Sequence, residues 1–339
     1  MVASHLAMAT SLDFVAIGDI VNDEFIALNK NEARVTEGTD GRQTLSMVFG
    51  QKIPYDGAVI INAVGNSPNA AVSAHRLGLK SAIITNIGND AEGDLAVEAL
   101  TAEHIDTRFV KRHPGKQTNH HYVLRYGAER TILIKHEEFE YRLPEDLGEP
   151  KWLYLSSLGE NSIAHHHEIA AYVKAHPGVK FAFQPGSFQI KLGFDTLKDI
   201  YETCELFFCN VEEAMMILGT TDRDIKKLMF SMRDLGPKLP VITDGPKGAY
   251  ALDGESVVFM PIYPDPNPPV DRTGAGDSFA STFTSMLAIG KTVPEALARA
   301  PINSMSVVQY IGAQKGLLTL AQIEEWLRKA PKEYEAQTI

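Results

Sequence analysis

The sequence predicts an α/β fold: a three-layer α/β/α domain on a mainly parallel sheet, with a small β-sheet lid over one end. Two observations carry this. Along most of the chain, short apolar runs alternate with longer amphipathic stretches, the pattern of βαβ units whose strands are covered on both faces. Two segments, 24–58 and 109–142, break the rhythm with short β-like pieces and no helix. Right-handed crossovers then place helices on both faces of a single sheet.

Taken in order, the apolar runs predict strands at 14–17, 59–61, 82–85, 152–155, 179–183, 206–209 and 240–243. The stretches between them predict helices at 68–77, 91–103, 163–175, 211–218 and 222–235, the first opened by Ser67 as N-cap and Pro68 at N1. Within the second irregular segment, 120–125 and 131–135 alternate on either side of a turn containing Gly127, a hairpin pattern. From Asp277 to Tyr310 the chain reads as helix with a break at Gly290, and 320–327 closes the fold as a last helix. Residues 1–12 read as a disordered leader, 13–330 as one domain with both lid segments inserted, and 331–339 as a tail.

At 339 residues and 44% hydrophobic, the chain can bury a sizeable core, and a disordered or collagen-like chain is excluded. No apolar run approaches the roughly 18–20 residues that span a bilayer. The net charge of −11 argues against nucleic acid and anionic membrane surfaces as partners. A small anion is still admissible, because backbone N–H groups hold it locally whatever the global charge. Two cysteines, Cys204 and Cys209, build no disulfide framework and read as buried thiols. With no basic, apolar secretory signal at the start, a cytoplasmic location is expected.

The chemistry concentrates in 271–280, DRTGAGDSFA, which follows the Pro-rich connector YPDPNPPV and opens a helix. Gly274 and Gly276 let a backbone turn aim successive N–H groups one way, and a helix N-terminus favours an anion there. Asp277 follows at once. Anion hole plus carboxylate is the constellation for phosphoryl transfer to an alcohol: the N–H groups of Gly274, Ala275 and Gly276 hold the charge on the moving phosphoryl, and Asp277 takes the hydroxyl proton. A helix N-terminus is expected to lower that carboxylate's pKa. In a loose transition state the proton leaves late, so positioning counts for more than basicity. The other reading of the segment is an acidic helix start behind a glycine turn.

With that segment, the chain resembles the ribokinase/PfkB family of carbohydrate and nucleoside kinases over about residues 13–330, with motifs in the family's order. GDIVND places Asp23 five residues after Gly18, where the family has a substrate-binding Asp. VGNSPNAAVSAHRLGL is similar to the family's Gly-Gly…Asn segment, matching at Gly65 and Asn69, with Val64 where the first Gly is usual. NIGNDAEGD and the lid strand RTILI are also family-like. Asn210-Val-Glu-Glu213 resembles the motif that organises magnesium. VITDGPKGAY resembles the nucleotide-contacting loop, with Thr243, Gly245 and Gly248.

The resemblance implies a ribokinase-like, ATP-dependent kinase acting on a hydroxyl, read as a hydroxymethyl, of a sugar. A nucleoside kinase is the alternative within the family, and a non-catalytic sugar or nucleotide sensor the alternative outside it. Asp23, Gly65 and Asn69 would hold the acceptor. Thr243, Gly245 and Gly248 would hold ATP, and Asn210 and Glu213 would hold Mg²⁺ through water. Asp271 and Thr273 match positions beside a potassium ion in some members. Each also has a plain structural reading: Asn210 and Glu213 as a capping box, Gly245 and Gly248 as a hairpin turn, Asn69 and Asp23 as solvent-facing turn residues. No P-loop, no Rossmann glycine fingerprint and no zinc motif competes.

His165, His166 and His167, being consecutive, cannot present an i, i+4 ligand pair and read as solvated surface. His120 and His121 point to opposite faces of the lid strand, so that one faces the substrate side. Arg125 and Arg130 are candidates for an acceptor phosphate; Tyr122, Tyr126 and Phe139 are candidates for a nucleobase slot. The lid's exposed edge favours a homodimer through the lid.

Overall fold

The computed structural model describes residues 11–38, 41–127 and 129–339. Positions 1–10 of the expected leader lie outside the described residues. Strand β1 (Phe14–Ile17) leads to β2 (Val21–Leu28), β3 (Ala33–Glu37), β4 (Gln43–Met47) and β5 (Tyr55–Val64). Helix α1 (Asn66–Arg76), β6 (Ser81–Gly88), α2 (Ala91–Ala102), β7 (Val110–His113), β8 (His120–Tyr126) and β9 (Glu129–Leu133) follow. Next come β10 (Trp152–Leu155), α3 (Ile163–Ala175), β11 (Lys180–Phe183), α4 (Ser187–Leu192), α5 (Phe194–Thr203) and β12 (Leu206–Asn210). The chain continues through α6 (Val211–Leu218), α7 (Ile225–Asp234), β13 (Leu239–Thr243), β14 (Ala249–Asp253) and β15 (Ser256–Met260). It ends with α8 (Ala275–Ala288), α9 (Val293–Val307), α10 (Leu320–Arg328) and β16 (Gln337–Thr338).

A ten-stranded sheet runs in the order β16-β15-β14-β13-β12-β11-β10-β1-β6-β7. It is parallel from β13 through β7 and antiparallel at its other end. Alternation along β1 shows why its strands are apolar throughout. Phe14 and Ala16 enter a core shared with α1, α8 and α9, while Val15 and Ile17 enter a second core shared with α3, α5 and α7. Among the described residues, no helix is long and apolar enough to cross a membrane.

A four-stranded sheet, β5-β2-β8-β9, stands over one end, and β3 and β4 form a separate hairpin. Three expectations change here. The run 59–61 lies in β5 of the small sheet, not in the large one; Val59 and Ile60 are exposed, whereas a central strand buries both faces. An apolar run alone does not tell these settings apart. Within 109–142, β7 joins the large sheet beside β6. In 331–339, β16 pairs with β15, and Tyr334 is buried with its hydroxyl donating to Ala298 O.

The histidine triplet is also corrected. His165 and His166 are buried, and only His167 faces solvent, beside Asp199. Both sit on the face of α3 that carries buried Ile169, Ala170 and Val173, at i, i+3 and i+4 spacing. The network tolerates them: His165 Nδ1 meets Glu168, His166 Nδ1 meets Ser162 O, and His166 Nε2 meets Gln189 Nε2. Burial pushes the His166 imidazole down to about 4.

Candidate active site

The parallel strands deliver the candidate residues along their C-terminal edge, where open α/β sheets place ligands. Asp19 follows β1, Ser157 follows β10, Gln184 follows β11, Asn210 ends β12 and Thr243 ends β13, with Asn210 and Thr243 in register. A cavity of about 320 Å³ lies there under the small sheet. Its wall includes Asp19, Asp23, Gly65, Asn69, Thr273, Gly274, Ala275, Gly276 and Asp277.

Gly274 is the N-cap of α8 with φ +79°, and a Cβ there would stand 2.3 Å from the Ala313 Cβ. Only glycine makes this turn without strain or collision. Ala275 opens the helix and its N–H donates to Arg272 O at 3.4 Å, while Gly276 and Asp277 follow in the first helical turn, whose N–H groups have no acceptor within the helix.

Asp277 is buried, with a carboxylate edge on the cavity. Its Oδ1 accepts from Asn66 Nδ2 at 2.7 Å and Gln184 Nε2 at 3.2 Å, and its Oδ2 accepts from Asn69 Nδ2 at 2.9 Å. Burial raises its pKa above the ordinary aspartate value, against those three donors. The lowering expected from the helix N-terminus is thus overturned: desolvation outweighs the other influences. Two of the three donors are themselves held in place. Tyr154 donates to Gln184 Oε1, so Gln184 turns its amide N–H toward Asp277. Gln314 Nε2 donates to Asn69 Oδ1 at 3.0 Å and to Ala63 O, which fixes the Asn69 amide.

Asn69 therefore does not face solvent; it bonds the acid while lining the cavity. Asp23, on β2, is also buried, and its Oδ1 has no hydrogen-bond partner. Gly65, not Ser67, is the N-cap of α1, so Ser67 and Pro68 lie inside its first turn; Gly65 has φ 115°, and a Cβ there would come 3.1 Å from Asp19 O. Asp271 Oδ1 accepts from Thr273 N at 3.0 Å and Thr273 Oγ1 at 2.7 Å; its Oδ2 accepts from Gly312 N at 3.0 Å.

Asn210 and Glu213 form a capping box at α6, with both reciprocal bonds at 2.8 Å. Burial raises the Glu213 pKa. Gly245 and Gly248 lie in the β13–β14 hairpin turn, where Asp244 N donates to Gly248 O. A Cβ at Gly248 would meet Met260 O at 2.4 Å. Asn210, Glu213, Thr243, Gly245 and Gly248 do not line the cavity; they lie further along the same sheet edge.

Sequence reasoning missed Asn66, Gln184 and Gln314, and the cavity pair His121 and His136 was only half anticipated. Asn66 sits inside a quoted motif. Gln184 carries a positional signal, being the residue just past the end of a parallel strand. Gln314, in an irregular stretch before α10, carries none.

A buried carboxylate, a glycine turn at a helix N-terminus and a polar cavity at the carboxyl edge of a parallel sheet together define a small-molecule kinase. The chain belongs to the pfkB family of carbohydrate kinases, whose family model matches residues 45–320. It is 27% identical over 307 residues to the ATP-dependent 6-phosphofructokinase of Thermoanaerobacterium thermosaccharolyticum, covering 86% of this chain and 92% of that protein. It is 28% identical over 248 residues to the cytidine kinase of Thermococcus kodakarensis, covering 71% and 85%. Its fold is similar to that of Arabidopsis thaliana ribokinase complexed with ribose and ATP, with a TM-score of 0.77 at 20% identity over 94% of this chain and 99% of the other. The names of these three proteins span a sugar phosphate, a nucleoside and a free sugar.

Proposed function

We propose that the chain transfers the γ-phosphoryl group of ATP to a hydroxymethyl group of a sugar, with Asp277 as general base. One observation carries the reading: the Asp277 carboxylate stands where the glycine turn and the acceptor-side residues Asp23, Gly65 and Asn69 meet on one cavity wall. The hydroxyl oxygen attacks phosphorus, the bond to the β-phosphate oxygen breaks, and the hydroxyl proton passes to Asp277. Backbone N–H groups of the 274–276 turn hold the developing charge. The raised pKa of Asp277 makes it a better base than an exposed aspartate. The small sheet over the cavity limits water and so limits wasteful ATP hydrolysis.

Thr243, Gly245 and Gly248 are assigned to the nucleotide. Mg²⁺ supplies charge neutralisation on the phosphates when bound. Asn210 and Glu213 suit it: the capping box engages Glu213 Oε2 and Asn210 Oδ1, and the second carboxylate oxygen is a hard donor for a metal-bound water. A potassium ion at Asp271 and Thr273 does not fit. The Asp271 carboxylate already accepts three hydrogen bonds, and the Arg130 guanidinium stands 3.9 Å from its Oδ1.

A sugar is favoured over a nucleoside because none of Tyr122, Tyr126 and Phe139, the rings named for a nucleobase slot, lines the cavity. Tyr122 pairs in register with Glu24, on the face of the small sheet opposite Asp23 and Phe25; Phe139 is buried against His113. That outer face also exposes Ile60 and Leu133, a surface suited to a homodimer through the lid. A cytoplasmic location completes the reading.

The test is ADP release over a panel of sugars, nucleosides and sugar phosphates with Mg²⁺, repeated with Asp277→Asn. The variant should bind ATP and turn over roughly 10²–10⁴-fold more slowly. Near-normal turnover removes Asp277 from the mechanism.

A further inference from the structure

Two histidines meet at the cavity wall, and the family motifs account for neither. His121 stands on β8 in register with Asp23, and His136 lies in the segment after β9; both line the cavity. Their Nε2 atoms are 3.3 Å apart, with the rings inclined at 50°. Each ring turns its other nitrogen to a carboxylate. His136 Nδ1 lies 3.3 Å from Asp19 Oδ2, and His121 Nδ1 lies 3.4 Å from Asp23 Oδ1. Tyr141 donates to the other Asp19 oxygen at 2.9 Å, which leaves Oδ2 to His136. Asp23 Oδ1 is buried with no hydrogen-bond partner, and His121 Nδ1 is the ring nitrogen beside it.

The order of groups is carboxylate, imidazole, imidazole, carboxylate, the same from either end. A carboxylate at Nδ1 is the partner that orients a metal-ligating histidine and leaves Nε2 to bind the ion. Two nitrogens held by zinc at roughly 2.0–2.1 Å and at the tetrahedral angle stand about 3.3–3.4 Å apart. The two Nε2 atoms have that separation. A hydrogen bond between the rings would be long at this distance, and it would take the proton from one of the two Nδ1–carboxylate contacts; an ion between the rings keeps both.

We infer that His121 and His136 hold a borderline transition-metal ion of the zinc class through their two Nε2 atoms, with Asp19 and Asp23 as positioning residues behind them. Among the described residues no third His, Cys, Asp or Glu completes a metal-holding set, so the remaining coordination positions belong to water. The site differs in kind from one for Mg²⁺: imidazole nitrogens suit zinc, copper or nickel, whereas magnesium takes oxygen donors. An ion here stands beside Asp23. If Asp23 holds the acceptor, as the proposed function has it, the ion inhibits by displacing the acceptor and takes no part in phosphoryl transfer.

The experiment is calorimetric titration of the full chain, free of added histidines, with ZnCl₂ at pH 7.5 and without nucleotide or sugar. One ion per chain should bind, and excess MgCl₂ should leave the isotherm unchanged. His121→Phe and His136→Phe should each weaken binding at least ~10-fold, and Asp19→Asn should weaken it by ~10-fold, the size of an orienting partner's effect. His167→Gln, at the solvent-facing histidine of α3, should bind as the wild-type chain does. Thermal melts confirm that each variant is folded. No zinc binding overturns the site, as does displacement by Mg²⁺ or unchanged binding in folded His121→Phe or His136→Phe. Zinc should also raise the KM of an acceptor found by ADP release, in the wild-type chain and not in His136→Phe; an equal rise in both overturns the inhibitory role. Zinc binding as expected, with no ADP released for any acceptor, would instead overturn the kinase reading and leave the metal site standing.

Discussion

Asn69 Nδ2 donates to Asp277 Oδ2 at 2.9 Å, joining the first turn of α1 to the first turn of α8 across the cavity wall. The bond favours the ionised acid, whereas burial favours the protonated one and prevails. Asn69→Leu removes one charge-assisted donor, which is worth roughly 1.5–3 kcal/mol, or about 1–2 pH units. A base works when ionised, so the rate is lost as pH falls through its pKa. The acid limb of the kcat profile should therefore move to higher pH in the variant. The folded-state pKa already lies above the unfolded value, so Asp277 costs the fold stability as pH rises through that window, and Asn69→Leu should widen the window. A limb that stays in place would mean that another group titrates there.

The two glycines of the turn should respond differently to alanine. At Gly274 the new Cβ meets the Ala313 side chain at 2.3 Å and the backbone sits at φ +79°. Strain and overpacking together should cost at least roughly 2 kcal/mol, visible as a lower Tm. At Gly276 the Cβ would find only Gln184 Nε2, at 3.8 Å. Gly276→Ala should melt close to the wild-type temperature yet turn over more slowly if the 274–276 turn holds the phosphoryl group as proposed, because the added methyl would then stand against it. Equal melting of the two variants would show that the 274 turn relaxes.

The difference between these glycines marks how far the sequence could be read. Both belong to one quoted motif, and their shared place in the cavity wall was legible from spacing and helix position. So were the parallel sheet and its helices, because buried strands and amphipathic helices leave different periods in a sequence. The cradle of Asp277 was not. Asn66, Gln184 and Gln314 come from three distant segments, and an amide carries no local mark of which acid it faces. The buried His165 and His166 escaped for a related reason: polarity reads as solvent exposure unless the partners, here Glu168, Ser162 O and Gln189, are known. Strand 59–61 was placed in the wrong sheet because an apolar run does not say what it pairs with.

Glu213 has two assignments that one substitution separates. Glutamine at the third helical position keeps a capping box, because its side-chain oxygen still accepts from the Asn210 N–H. Glu213→Gln should therefore leave Tm nearly unchanged. If the second carboxylate oxygen orients metal-bound water, the Mg²⁺ concentration for half-maximal rate should rise several-fold. An unchanged metal requirement at unchanged Tm would leave Glu213 with the cap alone.

Arg130 reaches from β9 of the small sheet to within 3.9 Å of Asp271 Oδ1, beside the glycine turn. Asp271 is buried, so a monovalent cation added there would share one carboxylate with a guanidinium at like-charge distance. The expected outcome is a turnover rate that differs less than ~2-fold between potassium and choline chloride at equal ionic strength, a comparison that also removes general screening. Arg130→Gln should lower Tm by the equivalent of roughly 1 kcal/mol, because the arginine is partly exposed and its charge is partly screened. It should also make the rate sensitive to potassium, since the carboxylate would then lack a cation. Strong activation of the wild-type chain by potassium would show that Arg130 does not occupy this place in the working enzyme.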